Sequence, residues 1–369
     1  MPTLATSLLL IVLAIPSLAQ RCTSQTITVN VNAITSILNL QEPANQKSLT
    51  DFVQQSTSPT LNFPATLIQG TQPLSKSYII SGKLCVPAQG VRKSGTLLFA
   101  THGIAFTHGY WEAGGPGSEF NFASSTTAAG NSIFYYDRLG VGSSSKPDGI
   151  KEVQSTVQVE IAHLLIEHLK STGSFKRVVG IGHSFGSILT TGVAAKYPGD
   201  FNDIILTGFA GGDQVGILVS MASFGATIAS PLLSGVNPSS SYFTVGTFSN
   251  FQMGVLKFPF FDSRVAQAQF EGRGTATLGE IATLSLPASA PATEFSGRVL
   301  VVTGMEDAFF CAGNCAEVVN GVTLPNVVAG LFPATSGFSS YVTPNTGHAL
   351  NYHFSASSTF AFIQNWLDS

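Results

Sequence analysis

The sequence predicts an α/β fold: a mostly parallel, doubly wound sheet with helices on both faces and an inserted helical lid. Three observations predict it. Short runs of β-branched and aromatic residues recur with helical stretches between them, which is how parallel strands buried on both faces read. Hydrophobic residues make up 44% of the 369 and charged residues only 10%, against a usual charged share of about 25%, so most of the chain must be buried. One interval, about 211–296, breaks the strand–helix rhythm and is too long to be a loop between core strands.

Taken in order, residues 1–19 read as a signal peptide. Leu8 to Leu13 is an unbroken apolar run, Pro16 ends it, and Ser17-Leu18-Ala19 places small residues where a signal peptidase reads. The run is too short to cross a bilayer of about 30 Å as a helix. An uncleaved membrane anchor is the alternative, because no Lys or Arg precedes the run. All four cysteines lie beyond the predicted cleavage point, which suits secretion and disulfide formation. Of the three pairings that four cysteines allow, a tight Cys311–Cys315 bridge and a long Cys22–Cys85 tie are favoured. No second Cys or His pair completes a metal site around Cys311 and Cys315.

Residues 20–75 are polar and broken by Pro43, Pro59, Pro64 and Pro73, and are expected as an extension packed on the outside of the core. The first part of the core spans 76–210. Its strands are expected at Tyr78–Ile80, Thr96–Ala100, Ser132–Tyr136, Val178–Ile181 and Asp203–Thr207, with a helix over Val153–Lys170 carrying Val157, Ile161, Leu164, Leu165 and Leu169 at helical spacing. The lid, 211–296, has expected helices near Val215–Ile228 and Ser263–Phe270. It is rich in phenylalanine, including Phe224, Phe243, Phe248, Phe251, Phe258, Phe260 and Phe261, which suggests a greasy substrate pocket. The second part of the core, 297–369, opens on a strand at Val299–Val302. The formal net charge of −3, with Lys and Arg scattered, gives no electrostatic reason to expect nucleic acid or an anionic membrane as partner. No later run of some 18 apolar residues argues for stable membrane insertion.

The chemistry sits in four short stretches. Gly182-His183-Ser184-Phe185-Gly186 follows a buried strand and precedes a helix over Ile188–Lys196, the strand–turn–helix of a nucleophile elbow. A serine hydroxyl needs a base to take its proton, and an acid and then a histidine follow downstream. Asp307 closes the loop Gly304-Met305-Glu306-Asp307 after a buried strand. His348 follows the candidate strand Phe338–Val342. Glu306 and Asp213 are the alternatives for the acid, and His353, expected on the last helix, is the alternative for the base. Thr101-His102-Gly103-Ile104 follows the strand Thr96–Ala100 and is the expected oxyanion loop: the N–H of Ile104, beside Gly103, would join that of Phe185. His102 and His183 are expected to have packing and hydrogen-bonding roles.

Together with Tyr136-Asp137-Arg138-Leu139-Gly140-Val141-Gly142-Ser143-Ser144, these stretches resemble the α/β-hydrolase superfamily over roughly Tyr78 to Leu367, in particular its lidded esterase, lipase and proline-iminopeptidase-like branch. The signal segment and the Cys311–Cys315 loop resemble secreted fungal members. The resemblance implies a Ser184–His348–Asp307 triad, no cofactor and no metal, and gives Asp137 a turn-forming role. The expected activity is hydrolysis of an apolar carboxylic ester or lactone through an acyl-enzyme, by a protein secreted from the cell. A proline-iminopeptidase-like peptidase and a non-catalytic binding protein on the same scaffold are the alternatives. A peptidase of that kind needs acidic lid residues to hold a substrate ammonium, and the lid offers few.

Overall fold

The computed structural model of the chain describes residues 20–58, 66–88, 95–173, 175–211 and 221–369; the expected signal segment lies outside them. In chain order the strands are β1 Arg21–Leu38, β2 Ile68–Val86, β3 Thr96–Thr101, β4 Ser132–Tyr136, β5 Arg177–His183, β6 Asp203–Thr207, β7 Ala226–Ile228, β8 Tyr242–Val245, β9 Ala276–Thr277, β10 Arg298–Gly304, β11 Val318–Val319, β12 Val322–Thr323 and β13 Phe338–Thr343. Eight of them form one sheet in the order β1-β2-β4-β3-β5-β6-β10-β13. Neighbours from β4 to β13 are parallel, and β2 runs antiparallel to both β1 and β4. Every residue of β3, β4 and β6 is buried.

Burial on both sides follows from the alternation of side chains along each strand. Leu97 and Phe99 join a cluster on one face with Val157, Ile161 and Leu165 of the helix Ser155–Thr172. Leu98 and Ala100 join a cluster on the other face with Phe360 and Ile363 of the helix Ala356–Asp368. The sheet is thus doubly wound, as the apolar runs predict.

The N-terminal segment departs from expectation. Instead of an extension laid on the outside, it supplies β1 and the start of β2, which pair in an unbroken register from Arg21↔Val86 to Ile37↔Gly70. The alternation that specifies β1 is present: Ile27, Val29, Val31 and Ala33 are buried, while Thr28, Asn30 and Asn32 are exposed. Its polar half makes it read as surface chain. Pro43 lies in the connection between β1 and β2, while Pro73 sits in β2 opposite Ile34. That position is tolerated because β2 pairs with β4 only over Gly82–Cys85, so the missing N–H falls on an open edge. Cys22 and Cys85 are register partners and are joined by a disulfide.

Between β6 and β10 the chain leaves the sheet. This interval was expected to hold no buried strand, yet β8 is fully buried at the centre of a three-stranded sheet, β7-β8-β9. Four residues are too few for period-2 alternation to stand out from the serines before them. Residues 215–220 of the expected Val215–Ile228 helix lie outside the described residues; Met221–Phe224 is helical and Ala226–Ile228 is β7. Gly225, at φ 57°, makes the break, a left-handed turn that glycine adopts without strain. Helices Phe248–Val255, Ser263–Glu271 and Leu278–Ala282 complete the insertion.

Candidate active site

β5 ends at His183 and the helix Phe185–Lys196 begins at once. The one residue between them, Ser184, has φ 58° and ψ −121°, a region that residues with a Cβ seldom occupy and that marks strain held in place by its surroundings. Two glycines make room for the turn. A Cβ on Gly182 would lie 2.4 Å from the backbone of Gly186, and one on Gly186 would lie 2.0 Å from the carbonyl oxygen of Thr101 on β3. The Ser184 N–H donates to the Thr207 carbonyl at 2.9 Å, which ties the turn to β6. Ser184 stays half-buried between the buried His183 and Phe185.

Asp307 follows β10, is fully buried, and caps the short helix Ala308–Cys311. Its Oδ1 accepts from the N–H groups of Phe309 at 2.9 Å and Phe310 at 3.1 Å. Its Oδ2 accepts from the Thr303 hydroxyl at 3.2 Å and stands 2.8 Å from His348 Nδ1. An ionised carboxylate only accepts, so Nδ1 carries the proton and Nε2 keeps its lone pair. The His348 ring is flanked by those of Phe309 at 4.7 Å and Phe310 at 5.9 Å between centroids. On another side it lies 4.9 Å from the ring of His183, the neighbour of Ser184. The disulfide Cys311–Cys315 closes the acid loop.

Two of the alternatives, Glu306 and His353, brace the histidine loop. Glu306 Oε2 accepts from the N–H of Thr346 at 2.9 Å. His353 Nε2 accepts from the N–H groups of Gly347 at 3.0 Å and Lys257 at 2.9 Å, while its Nδ1 donates to the Ala349 carbonyl at 2.9 Å. Burial pushes the His353 pKa down to about 4, which keeps Nε2 available as an acceptor. His353 precedes the last helix rather than lying on it, since that helix begins at Ala356. Asp213 lies outside the described residues.

The loop after β3 passes directly against the turn at Ser184. A Cβ on Gly103 would lie 2.8 Å from Ser184 Cβ and 3.2 Å from a ring carbon of Phe106. The N–H of Phe185 belongs to the first turn of its helix, where amides lack an intrahelical acceptor. His102 is fully buried; its Nε2 accepts from the Arg138 N–H at 3.1 Å, so its Nδ1 carries the proton that reaches the Gly103 carbonyl at 2.8 Å. Burial pushes its pKa down to about 3. His183 is also held neutral, its pKa well below the ordinary value through burial and the nearby His348 and His102, and it stacks on Tyr110 at 4.1 Å. Asp137 accepts from the N–H groups of His108 and Ser143, both at 2.9 Å, and holds the turn after β4.

Aromatic side chains join the insertion to both loops. The ring of Phe251 lies 6.2 Å from that of Phe106 and 6.3 Å from that of Tyr352. Phe224 and Phe243 pair with each other inside the insertion, whereas Phe258 is 72% exposed. Two charged residues that the sequence did not single out meet beside the Gly103 loop. Arg138 and Glu280 are both fully buried and form an ion pair. The available signal was a lone cation in a glycine-rich turn of a charge-poor chain. Among the described residues, no three His, Cys, Asp or Glu side chains are grouped to hold a metal ion, and no helix is long and apolar enough to cross a membrane.

The model of the alpha/beta hydrolase family matches residues 97–360. No curated protein matches the sequence. Among solved structures, an alpha/beta hydrolase fold protein from Chitinophaga pinensis is similar at 15% identity with a TM-score of 0.53, over 79% of this chain and 94% of that one. The 2-hydroxy-6-oxo-6-phenylhexa-2,4-dienoate hydrolase from Rhodococcus sp. strain RHA1 is similar at 13% identity with a TM-score of 0.51, over 79% of this chain and 95% of that one. At these identities the likeness is one of fold.

Proposed function

From the premise that the chain belongs to the alpha/beta hydrolase family, we propose that it is a serine hydrolase that cleaves a carboxylic ester or lactone of apolar character. Ser184 attacks the carbonyl while His348 Nε2 takes the hydroxyl proton. Asp307 keeps the imidazole proton on Nδ1 and stabilises the charged ring that forms. The N–H groups of Ile104 and Phe185 receive the oxyanion, a role worth about 10²–10³ in rate per donor. His348 returns its proton to the leaving oxygen, then activates the water that frees Ser184.

The observation that carries this reading is the 2.8 Å Asp307–His348 contact, with the other oxygen of the acid taken up by two backbone donors. Asp307 follows β10, one strand beyond β6 from the strained turn at Ser184, and His348 follows β13, the strand after that. An apolar substrate is favoured by Phe309 and Phe310 against His348 and by the Phe106–Phe251 contact at the insertion, which acts as the lid of the site in this reading. A peptidase holding a substrate ammonium is disfavoured. In the insertion Glu280 is committed to Arg138, Asp262 caps a helix, and Glu271 bonds Gln267. Two disulfides suit an oxidising, extracellular location for the mature chain.

The test uses a fluorophosphonate probe and a panel of aliphatic esters, lactones and proline amides. Wild type should be labelled at Ser184 and turn over esters, while Ser184→Ala should do neither. A wild type that is folded, unlabelled and inactive on every ester would overturn the reading.

A further inference from the structure

The peptide joining Gly103 to Ile104 has two ends that point in opposite directions, since a trans peptide sets its C=O and N–H antiparallel. Whatever holds the Gly103 oxygen therefore aims the Ile104 N–H. Two donors hold it: His102 Nδ1 at 2.8 Å and Arg138 Nη2 at 3.3 Å. Glycine leaves this peptide a wider choice of orientation than a residue with a Cβ would, so those donors help to set it. The Arg138 side chain supplies one of them directly, and the backbone N–H of the same residue fixes the tautomer of His102, the other donor, from 3.1 Å. Its guanidinium carbon also stands 4.8 Å above the ring of Phe185, whose N–H is the second oxyanion donor.

Arg138 is itself placed by the insertion. Its Nη1 donates to Glu280 Oε1, and the same oxygen accepts from Gln158 Nε2 at 2.9 Å. Glu280 Oε2 accepts from the N–H of Thr277 at 3.0 Å, closing the capping box of the helix Leu278–Ala282. Gln158 clasps the residue after Arg138, accepting from the N–H of Leu139 at 3.2 Å and donating to its carbonyl at 3.0 Å. A fully buried ion pair is weak evidence of a stabilising role, because apolar replacement of both partners is often neutral or better. Its presence beside the oxyanion loop calls for another reason.

We infer that Arg138, locked by Glu280 from the insertion, is a positioning residue that aims the Ile104 N–H at the oxyanion and so makes the oxyanion hole depend on the docked insertion. The inference rests on the serine-hydrolase reading above. A donor on the Gly103 oxygen also polarises the peptide and strengthens its N–H as a donor, which adds to the aiming.

The test compares wild type, Arg138→Lys and the double variant Arg138→Met/Glu280→Met, by thermal unfolding, steady-state kinetics and affinity for a boronic acid that forms a tetrahedral, charged adduct on the serine. The double variant leaves no unpaired buried charge. It is expected to melt near wild type yet lose about 10²-fold in kcat, with KM within about threefold and boronic-acid affinity reduced by a factor similar to that in kcat. Arg138→Lys keeps the charge opposite Glu280, but its single ammonium cannot serve both Glu280 and the Gly103 oxygen in a fixed fork. A loss of about tenfold or more in kcat is expected there, and this variant decides the matter if the double variant does not fold. Wild-type kcat in either folded variant overturns the inference. A wild type that the fluorophosphonate does not label sinks the serine-hydrolase reading instead.

Discussion

Replacing Asp307 by asparagine separates orienting the imidazole from holding the loop. Four donors surround the carboxylate: the N–H groups of Phe309 and Phe310 on Oδ1, and the Thr303 hydroxyl and His348 Nδ1 on Oδ2. An asparagine must turn its NH₂ toward one pair. Toward the backbone pair it would leave two fixed, buried donors unsatisfied, at about 1–3 kcal/mol each. Toward the other pair both partners adapt, since the hydroxyl rotates to accept and the imidazole moves its proton from Nδ1 to Nε2. The second arrangement is therefore preferred by roughly 2–6 kcal/mol, and the fold is kept. An imidazole protonated on Nε2 has no lone pair for the Ser184 proton. The expected loss in kcat is about 10⁴-fold, or about 5.4 kcal/mol of barrier, with a melting temperature close to wild type. The assay is ester turnover normalised to folded enzyme, run beside a thermal melt. A folded Asp307→Asn enzyme within tenfold of wild type would refute the assignment of Asp307 and the tautomer argument together.

Gly186→Ala should unfold the protein or cost more than about 4 kcal/mol, because the new Cβ would meet backbone atoms of Thr101 at 2.0 and 2.7 Å. Gly199→Ala, where nothing lies within 4 Å, should leave urea unfolding unchanged; equal midpoints for the two variants would contradict the steric reading. Acid should destabilise the fold through His102, His183 and His353, whose pKa values burial pushes to about 3, well below the ordinary value, and to about 4. Below pH 6.5 the unfolded chain binds protons that these buried rings refuse. Stability then falls with pH by up to about 1.4 kcal/mol per unit for each group, and a melting temperature that stays flat from pH 7 to 4 would exclude the effect. Removing Cys22–Cys85, which links residues 63 apart, should cost about 4 kcal/mol, against about 2 for Cys311–Cys315, which links residues 4 apart. Guanidinium unfolding of the two paired-serine variants checks the order, and the reverse order would count against the loop-entropy account.

Local physics made much of this protein readable from its residues. β4 and β6 coincide with the runs Ser132–Tyr136 and Asp203–Thr207, because a strand buried on both faces is apolar over most of its length. The turn at Ser184 was legible for a similar reason: Gly182 and Gly186 are where a Cβ would strike backbone, a steric demand written within five residues. β1 was not legible, since half of its side chains face water and its partners in β2 lie up to 65 residues away, as Arg21 does from Val86. His353, Glu306 and the Arg138–Glu280 pair were beyond reach as well. Each is a polar group whose meaning is its partner, and Arg138 meets Glu280 across 142 residues of chain. Residue order alone shows which segments must be buried and where the backbone must turn. Which buried polar atoms meet is settled by the folded chain, because burial obliges each to find a partner but leaves the choice to the packing of distant segments.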